Sequence, residues 1–237
     1  MYHKIGQPPV GSESTCLYVP QADLREQCNL LKKSGYQTTG FSELSDALHG
    51  RKKLPPRPVI ITFDDGFMSV YEQAYPVLQE FGFQATVFVV AEFLGKESGW
   101  SENSADRVIE PLLGIKELNK MDNIEIGSHA NSHRHLTRLT DEEVHKELVG
   151  SKSTLQDVFN REIITLCYPY GDFNEKVAEI AQEAGYLSAC CTKHGNRHTL
   201  NDLYCLKRVP VTCGLSLSRF KYRLSHWYDW EYRFKQS

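Results

Sequence analysis

Two adjacent aspartates follow an apolar stretch of strand length in the first third of the chain. Asp64 and Asp65 come directly after residues 58–63 (PVIITF), and Gly66 follows them. Neighbouring buried carboxylates repel each other, so the pair needs a nearby cation or a proton on one of its members. Successive side chains of a regular strand point to opposite faces, but Gly66 permits a break that brings both carboxylates into one site. The alternative is a turn whose aspartates cap the next helix.

Two histidines stand four residues apart after a second apolar segment. His129 and His133 follow residues 124–128 (IEIGS), and His135 comes close behind, so one of the three could be a surface residue. A spacing of four places two side chains on one side of a helical turn, an arrangement used to chelate metals. Together with the aspartate pair, the histidines predict a site of two imidazoles and one carboxylate. Three protein ligands leave one position open for water, which is typical of a catalytic metal.

A third polar motif, residues 168–172 (YPYGD), begins where the apolar stretch 163–168 ends and on its own predicts only a turn.

The elements around the three motifs alternate between short apolar runs of strand length and stretches with apolar residues at helical spacing. Strands are predicted at 58–63, 85–90, 124–128 and 163–168, and more weakly at 187–191 and 204–211; helices are predicted at 24–31, 70–81, 140–159, 174–184 and 218–226. This alternation predicts an α/β fold with a mostly parallel sheet or barrel, whose sites lie at the carboxyl ends of the strands.

Composition excludes several other classes of protein. The 237 residues carry a net charge of −3, which argues against a dedicated nucleic-acid binder. No apolar stretch approaches the ~18 residues of a transmembrane helix, and residues 1–9 contain no signal-peptide core, so we expect a cytoplasmic location, including at the membrane surface. The seven cysteines form no C-x-x-C motif and are expected to be free thiols.

The three motifs, taken in order, resemble those of the polysaccharide deacetylases (the NodB-homology domain, carbohydrate esterase family 4). They read T-F-D-D-G at 62–66, H-x-x-x-H at 129–133 and Y-P-Y-G at 168–171. The resemblance implies one domain over residues 1–237, folded as a distorted (β/α)₇ barrel, with a core of about 2–211 and a C-terminal helix and tail at 212–237. It also implies a hydrolase that removes an N-acetyl (N-acyl) group from an amino sugar of a glycan or glycan precursor. One divalent metal is implied, most simply Zn²⁺, although Co²⁺ or Ni²⁺ satisfies the same ligands.

The resemblance also assigns roles to individual residues. Asp64 matches the family's general base, which takes a proton from the attacking water. Asp65, His129 and His133 match its metal ligands. Tyr170 matches the residue whose backbone N–H helps to hold the oxyanion. An acid must then protonate the leaving amine.

The sequence departs from the family pattern at three places. Ala130 stands where the family has Ser or Thr, a position that is not a ligand. Cys167 stands where the third motif usually begins with an Arg that orients the base, and Arg208, in the predicted strand 204–211, is the candidate to supply that charge instead. The alternative for Arg208 is an ordinary surface arginine. The late L-x-L-H motif that usually provides the acid has only a poor match at residues 224–226.

The missing acid has a candidate at the other end of the chain. Tyr2 and His3 resemble the N-terminal Y-H of a permuted branch, seen in biofilm poly-glucosamine deacetylases, where the histidine is the acid. His3 is therefore predicted to be the acid, on the leaving-amine side and away from Asp64. The alternative is a disordered terminal histidine.

Two other functions are weighed against the deacetylase. A non-haem iron oxygenase also uses two histidines and one carboxylate, but the second aspartate argues against it. A catalytically silent sugar-binding member of the family is disfavoured by the retained Asp64 and mildly favoured by Cys167. The expected partner is an N-acetylated amino sugar, and Trp100, Trp227, Trp230 and Tyr170 are candidates to stack on its rings.

Overall fold

The fold is built on short parallel strands. A computed structural model describes residues 1–12, 14–100 and 108–233, and for 230–233 only the backbone is described. The strands are β1 (Lys4–Ile5), β2 (Tyr18–Val19), β3 (Gln37–Thr38), β4 (Pro58–Val59), β5 (Thr62–Phe63), β6 (Ala85–Val89), β7 (Ile124–Ser128), β8 (Thr165–Cys167), β9 (Ser188–His194) and β10 (Leu206–Arg208). Strands β5 to β10 form one parallel sheet in sequential order, while β1 pairs with β2 and β3 with β4.

Helices connect the strands, as parallel crossovers require. They are α1 (Gln21–Lys33), α2 (Phe41–Leu48), α3 (Tyr75–Phe81), α4 (Ile115–Leu118), α5 (Asp141–Phe159), α6 (Glu175–Glu183), α7 (Leu217–Arg223) and α8 (His226–Arg233). Two of these helices begin with side-chain caps: Thr140 and Glu143 form a capping box on α5, and the Asn174 side chain accepts from Val177 N–H at 2.9 Å on α6.

The N-terminal segment joins the two edges of the curled sheet. The Tyr2 N–H donates to the carbonyl oxygen of Thr62 in β5 at 2.8 Å, and the Asp64 N–H donates to the Tyr2 carbonyl oxygen at 3.0 Å. Met1 makes two bonds, each of 2.9 Å, with residues 209–211 beyond β10. The predicted single-domain α/β fold is confirmed, and the predicted distorted barrel takes the form of a curled parallel sheet. The same bonds bring His3 to the carboxyl ends of the strands, where the three motifs meet.

A buried cluster fixes the curl of the sheet. Phe88 of β6, Cys167 of β8, Cys190 of β9 and Leu206 of β10 pack together with Phe41 of α2, and each is at most 3% exposed. The cluster therefore ties four of the six strands to one helix.

Two predicted elements differ from the structure. The single strand at 58–63 is wrong, because the chain forms β4 and β5 there, which belong to different sheets. The single helix at 218–226 is also wrong, because α7 ends before residue 224 and α8 begins at His226.

Candidate active site

The aspartate pair lies where β5 ends. Asp65 and Gly66 have φ angles of 72° and 74°, so the backbone leaves the extended conformation immediately after Asp64. The predicted break thus occurs, and both carboxylates line one pocket of about 200 Å³. A side chain at Gly66 would bring its Cβ to 3.1 Å from Val89, so the turn packs closely against β6.

Asp65, His129 and His133 converge on one point. Oδ1 of Asp65 lies 3.1 Å from Nε2 of His129 and 3.2 Å from Nε2 of His133. Nδ1 of His129 lies 2.6 Å from the Cys167 carbonyl oxygen and must donate to it, so Nε2 is the ring nitrogen that faces the cluster.

The electrostatics of this cluster suit a cation. Burial alone raises the pKa of Asp65, but hydrogen bonds from His129 and His133 hold that pKa well below its ordinary value. The carboxylate is therefore ionised, and one carboxylate with two imidazoles is a donor set that Zn²⁺ and similar divalent metals prefer. The three residues fit a metal on these grounds.

The histidine loop is not the predicted helical turn. Residues 129–135 contain no helix, and both Ala130 and His133 have left-handed backbones, with φ of 60° and 61°. The loop keeps its shape because the buried Glu147 of α5 accepts hydrogen bonds from the backbone N–H groups of residues 131 and 132, at 3.0 and 2.9 Å. Glu147 is not predictable from the sequence, because a lone glutamate in an amphipathic helix gives no signal of such a role.

Arg208 lies against Asp64. Its terminal nitrogens donate to the two carboxylate oxygens at 2.6 and 2.8 Å, and the pair is almost fully buried. Burial alone raises the pKa of Asp64, but the Arg208 guanidinium and, next, His3 hold that pKa below its ordinary value. Asp64 is therefore ionised although it is buried. The alternative of a surface arginine is wrong, since Arg208 is 8% exposed.

Cys167 is buried beside the pair formed by Arg208 and Asp64. Its Sγ lies 3.1 Å from a terminal nitrogen of Arg208 and 3.6 Å from Asp64 Oδ2. Asp64, His129 and Cys167 also form a group of three metal-ligating types. The guanidinium binds both oxygens of Asp64 and contacts the sulfur, so its positive charge disfavours a second cation at that place.

His3 lines the same pocket, with Nε2 3.9 Å from Asp64 Oδ2. This position beside Asp64 contradicts the expectation that His3 lies away from that carboxylate. His226, the poor match to the late acid motif, does not line this pocket. It lines a separate cavity of about 500 Å³ that Arg208 also lines and that none of Asp65, His129 and His133 lines.

Aromatic rings form one wall of the pocket. Trp100 stacks on His133 with ring centres 4.6 Å apart, and His135 stacks on Tyr170 at 4.0 Å. Tyr170 has a φ of 59°, and the next residue, Gly171, could carry no side chain because its Cβ would lie 2.1 Å from Thr192 Oγ1. Trp227 lies on α8, outside this pocket, and the side chain of Trp230 lies outside the described residues.

The fold and the site together define an α/β protein with a buried, ionised Asp64 beside three residues that could hold a metal, an arrangement suited to the activation of water. The polysaccharide deacetylase family model matches residues 51–189, and the chain belongs to this family. The predicted class of activity, carbohydrate N-deacetylation, is thereby confirmed at the level of the family, and the comparisons give no support to an oxygenase or a silent sugar-binding protein.

Several known proteins resemble this chain. YxkH of Bacillus subtilis, whose name assigns it to the same family, is 32% identical over 93% of this chain and 73% of its own length. A poly-β-1,6-N-acetyl-D-glucosamine N-deacetylase of Staphylococcus aureus is 28% identical over 70% of this chain, which spans only 58% of that relative. The deacetylase PplD of Streptococcus pyogenes has the same fold, with a TM-score of 0.83, 24% identity and coverage of 95% and 96% of the two chains. Within the described residues, no helix combines the length and apolarity needed to cross a bilayer.

Proposed function

We propose that this chain removes N-acetyl groups from an N-acetylated polysaccharide in a metal-dependent hydrolysis. The observation that carries the proposal is the convergence of Asp65, His129 and His133 beside an ionised, buried Asp64. The name of the Staphylococcus aureus relative makes poly-β-1,6-N-acetylglucosamine the first substrate to test.

The polar side chains at the pocket have two proposed tasks, which are to hold a metal and to accept a proton from water. Asp65, His129 and His133 would hold one divalent cation, with Zn²⁺ the first to test. When bound, the cation supplies polarisation of the acyl carbonyl and a lower pKa of water. Asp64, kept ionised by Arg208, accepts the proton of the attacking water.

The remaining steps involve the oxyanion and the leaving amine. Tyr170 and Gly171 line the pocket, and the Tyr170 N–H is the proposed donor to the oxyanion that forms from the acyl carbonyl oxygen. His3 is the proposed donor to the amine nitrogen, because an imidazole can give and regain a proton near neutral pH. Its position 3.9 Å from Asp64 also allows the proton to pass between the two groups within the pocket.

Measurement of acetate release tests the proposal. The purified full chain, loaded in turn with Zn²⁺, Co²⁺ or Ni²⁺, is incubated with poly-β-1,6-N-acetylglucosamine, a nucleotide-linked N-acetyl amino sugar and a lipid-linked one. We expect metal-dependent acetate release from the polymer. Asp64→Asn is the matched inactive control. Release from none of the substrates, with sugar binding retained, would instead support a silent binding protein, and oxygen consumption with 2-oxoglutarate would support an oxygenase.

The place of this reaction in the cell is a separate proposal. We propose that the protein acts in the cytoplasm, including at the membrane surface. Cell fractionation with an antibody against the chain tests it, and recovery outside the cytoplasm would contradict it.

A further inference from the structure

Two thiols lie side by side next to the strand that carries Arg208. Cys191 belongs to β9, and Cys205 immediately precedes β10. Their Sγ atoms are 3.4 Å apart, and both are free thiols. A disulfide has an S–S distance of about 2.05 Å, so the bond requires the two sulfurs to approach each other by about 1.4 Å. Neither thiol takes part in the proposed hydrolysis.

The two thiols differ in access and in acidity. Cys191 is buried, whereas Cys205 is half-buried and can meet a small reagent. A hydrogen bond from Cys191 lowers the pKa of Cys205 to about 7; burial opposes this, and Lys193 and Lys207 assist it. By contrast, burial raises the pKa of Cys28 to about 12. Because the thiolate is the reactive form, Cys205 is suited to react first and Cys191 to resolve the product.

The thiol pair is connected to the base of the active site through the backbone. Nε of Arg208 donates to the carbonyl oxygen of Cys191 at 3.1 Å, while its terminal nitrogens bind Asp64. The Cys191 thiol also contacts the carbonyl oxygen of Leu206 at 3.6 Å. Drawing the two sulfurs together therefore pulls on β9 and β10 at the points that anchor Arg208.

We propose that Cys191 and Cys205 form a reversible disulfide, and that this bond displaces Arg208 and slows the enzyme. The oxidant is a low-molecular-weight disulfide of the glutathione type. The thiolate of Cys205 attacks one of its sulfurs, breaks its S–S bond and releases one small thiolate. The Cys191 thiol then loses its proton and attacks the Cys205 sulfur, which releases the second small thiol. Two protein thiols are oxidised to one disulfide, and the small disulfide is reduced to two thiols.

The experiment uses the full chain with the exposed thiols removed as Cys16→Ser/Cys213→Ser. These two residues are neighbours, since Cys213 N–H donates to the Cys16 carbonyl oxygen at 2.9 Å, and they would otherwise react as well. The protein is equilibrated with oxidised or reduced glutathione and mapped by mass spectrometry without reduction. We expect a cross-linked peptide pair containing residues 191 and 205, lighter by two hydrogen atoms, that dithiothreitol cleaves.

Two further measurements test the link to Arg208. Acetate release, which rests on the proposed function, should fall about 10-fold or more on oxidation, because ångström-scale misplacement of a catalytic group is costly, and should return with dithiothreitol. Hydrogen exchange in the peptide that contains β10 should rise on oxidation, and this readout needs no turnover. Cys205→Ser should keep the reduced activity and lose both responses.

The contrary outcomes are distinct. Glutathione that remains on Cys205 without a cross-link, or no adduct at all, overturns the disulfide. A cross-link with unchanged hydrogen exchange in β10 overturns the displacement of Arg208. Absence of acetate release from the reduced protein contradicts the proposed function alone, since the cross-link and the exchange measurement still decide this proposal.

Discussion

Arg208 and Asp64 form a two-bond ion pair between the two edges of one sheet. Arg208 ends β10 at one edge, and Asp64 follows β5 at the other, yet the guanidinium binds both carboxylate oxygens at 2.6 and 2.8 Å. Only the curl of the sheet brings these residues together, since they are 144 positions apart in the chain. The position and charge of Asp64, the proposed base, therefore depend on the closure of the fold.

Arg208→Gln is expected to move the acid limb of the pH–rate profile to higher pH. The guanidinium holds the pKa of Asp64 below its ordinary value against the effect of burial. Without it, burial raises that pKa, so Asp64 becomes ionised only at higher pH. Arg208→Lys keeps the charge but loses the two-bond geometry, and should shift the limb less. Lys207→Gln removes one positive charge from the same strand and is the matched control; an unmoved limb in Arg208→Gln would show that another group holds Asp64 ionised.

Asp64→Asn is expected to lower turnover by at least ~10²-fold while the metal stays bound, because Asn is nearly isosteric but cannot accept the proton. The change also removes one partner of a buried ion pair, which costs up to roughly 3–5 kcal/mol in the free energy of unfolding. Activity should therefore be measured at a temperature at which circular dichroism shows the variant to be folded. Asp65→Asn should instead lose the metal. The reverse pattern would mean that the two aspartates have exchanged roles.

His129→Ala and His133→Ala are each expected to lose metal and activity together, because each removes one of three converging ligands. Metal content is measured by elemental analysis after dialysis against a fixed concentration of free Zn²⁺. His135→Ala is the control, since His135 stacks on Tyr170 outside the cluster.

Cys167→Ala should retain the metal. This result would distinguish the cluster of Asp65, His129 and His133 from the group formed by Asp64, His129 and Cys167. Full metal occupancy in the double variant His129→Ala/His133→Ala would refute the assignment.

The sequence predicts best the elements whose signal is local. Strands β6 and β7 lie within the predicted segments 85–90 and 124–128, because continuous apolar runs bounded by polar turns identify buried strands. Strands β1, β2 and β3 were not predicted. Each has only two residues, and its pairing depends on distant partners rather than on a repeating pattern. The same limit explains why residues 58–63 were not seen to divide between two sheets.

The candidate site shows the same division. The candidate ligand types are visible as motifs in the sequence, and the absence of an arginine at position 167 makes Arg208 the candidate partner of Asp64. Four residues have left-handed backbones that the sequence does not predict: Asp65, Ala130, His133 and Tyr170. A positive φ is uncommon in any non-glycine residue, and the enrichment of Asp and His at such angles is too weak to identify a single position. Such strain persists only where the surrounding contacts impose it, as the buried Glu147 does for the histidine loop. The predicted helical turn at the two histidines is therefore wrong, although both histidines lie beside Asp65 in the predicted cluster.

His3→Asn is expected to keep the metal and substrate binding but to slow amide cleavage by ~10²–10⁴-fold, the usual contribution of a general acid. Backbone hydrogen bonds of Met1 and Tyr2 attach the N-terminal segment to the two sheet edges. Because these bonds do not involve the His3 side chain, the substitution should leave the fold intact. An aryl acetate should be affected much less, because its leaving group departs without a proton. His135→Asn is the control, because His135 stacks on Tyr170 and does not line the pocket.

The comparison of the two substrates separates two roles of His3. Its imidazole lies 3.9 Å from Asp64 Oδ2 and helps to lower the pKa of that carboxyl group, so it could act on the base as well as on the amine. Equal losses on the amide and on the aryl acetate would mean that His3 acts through Asp64, since both reactions need the activated water. A loss confined to the amide would assign proton donation to the leaving nitrogen. No loss on either substrate would exclude both roles, and the donor would then have to be sought among the other polar groups that line the pocket.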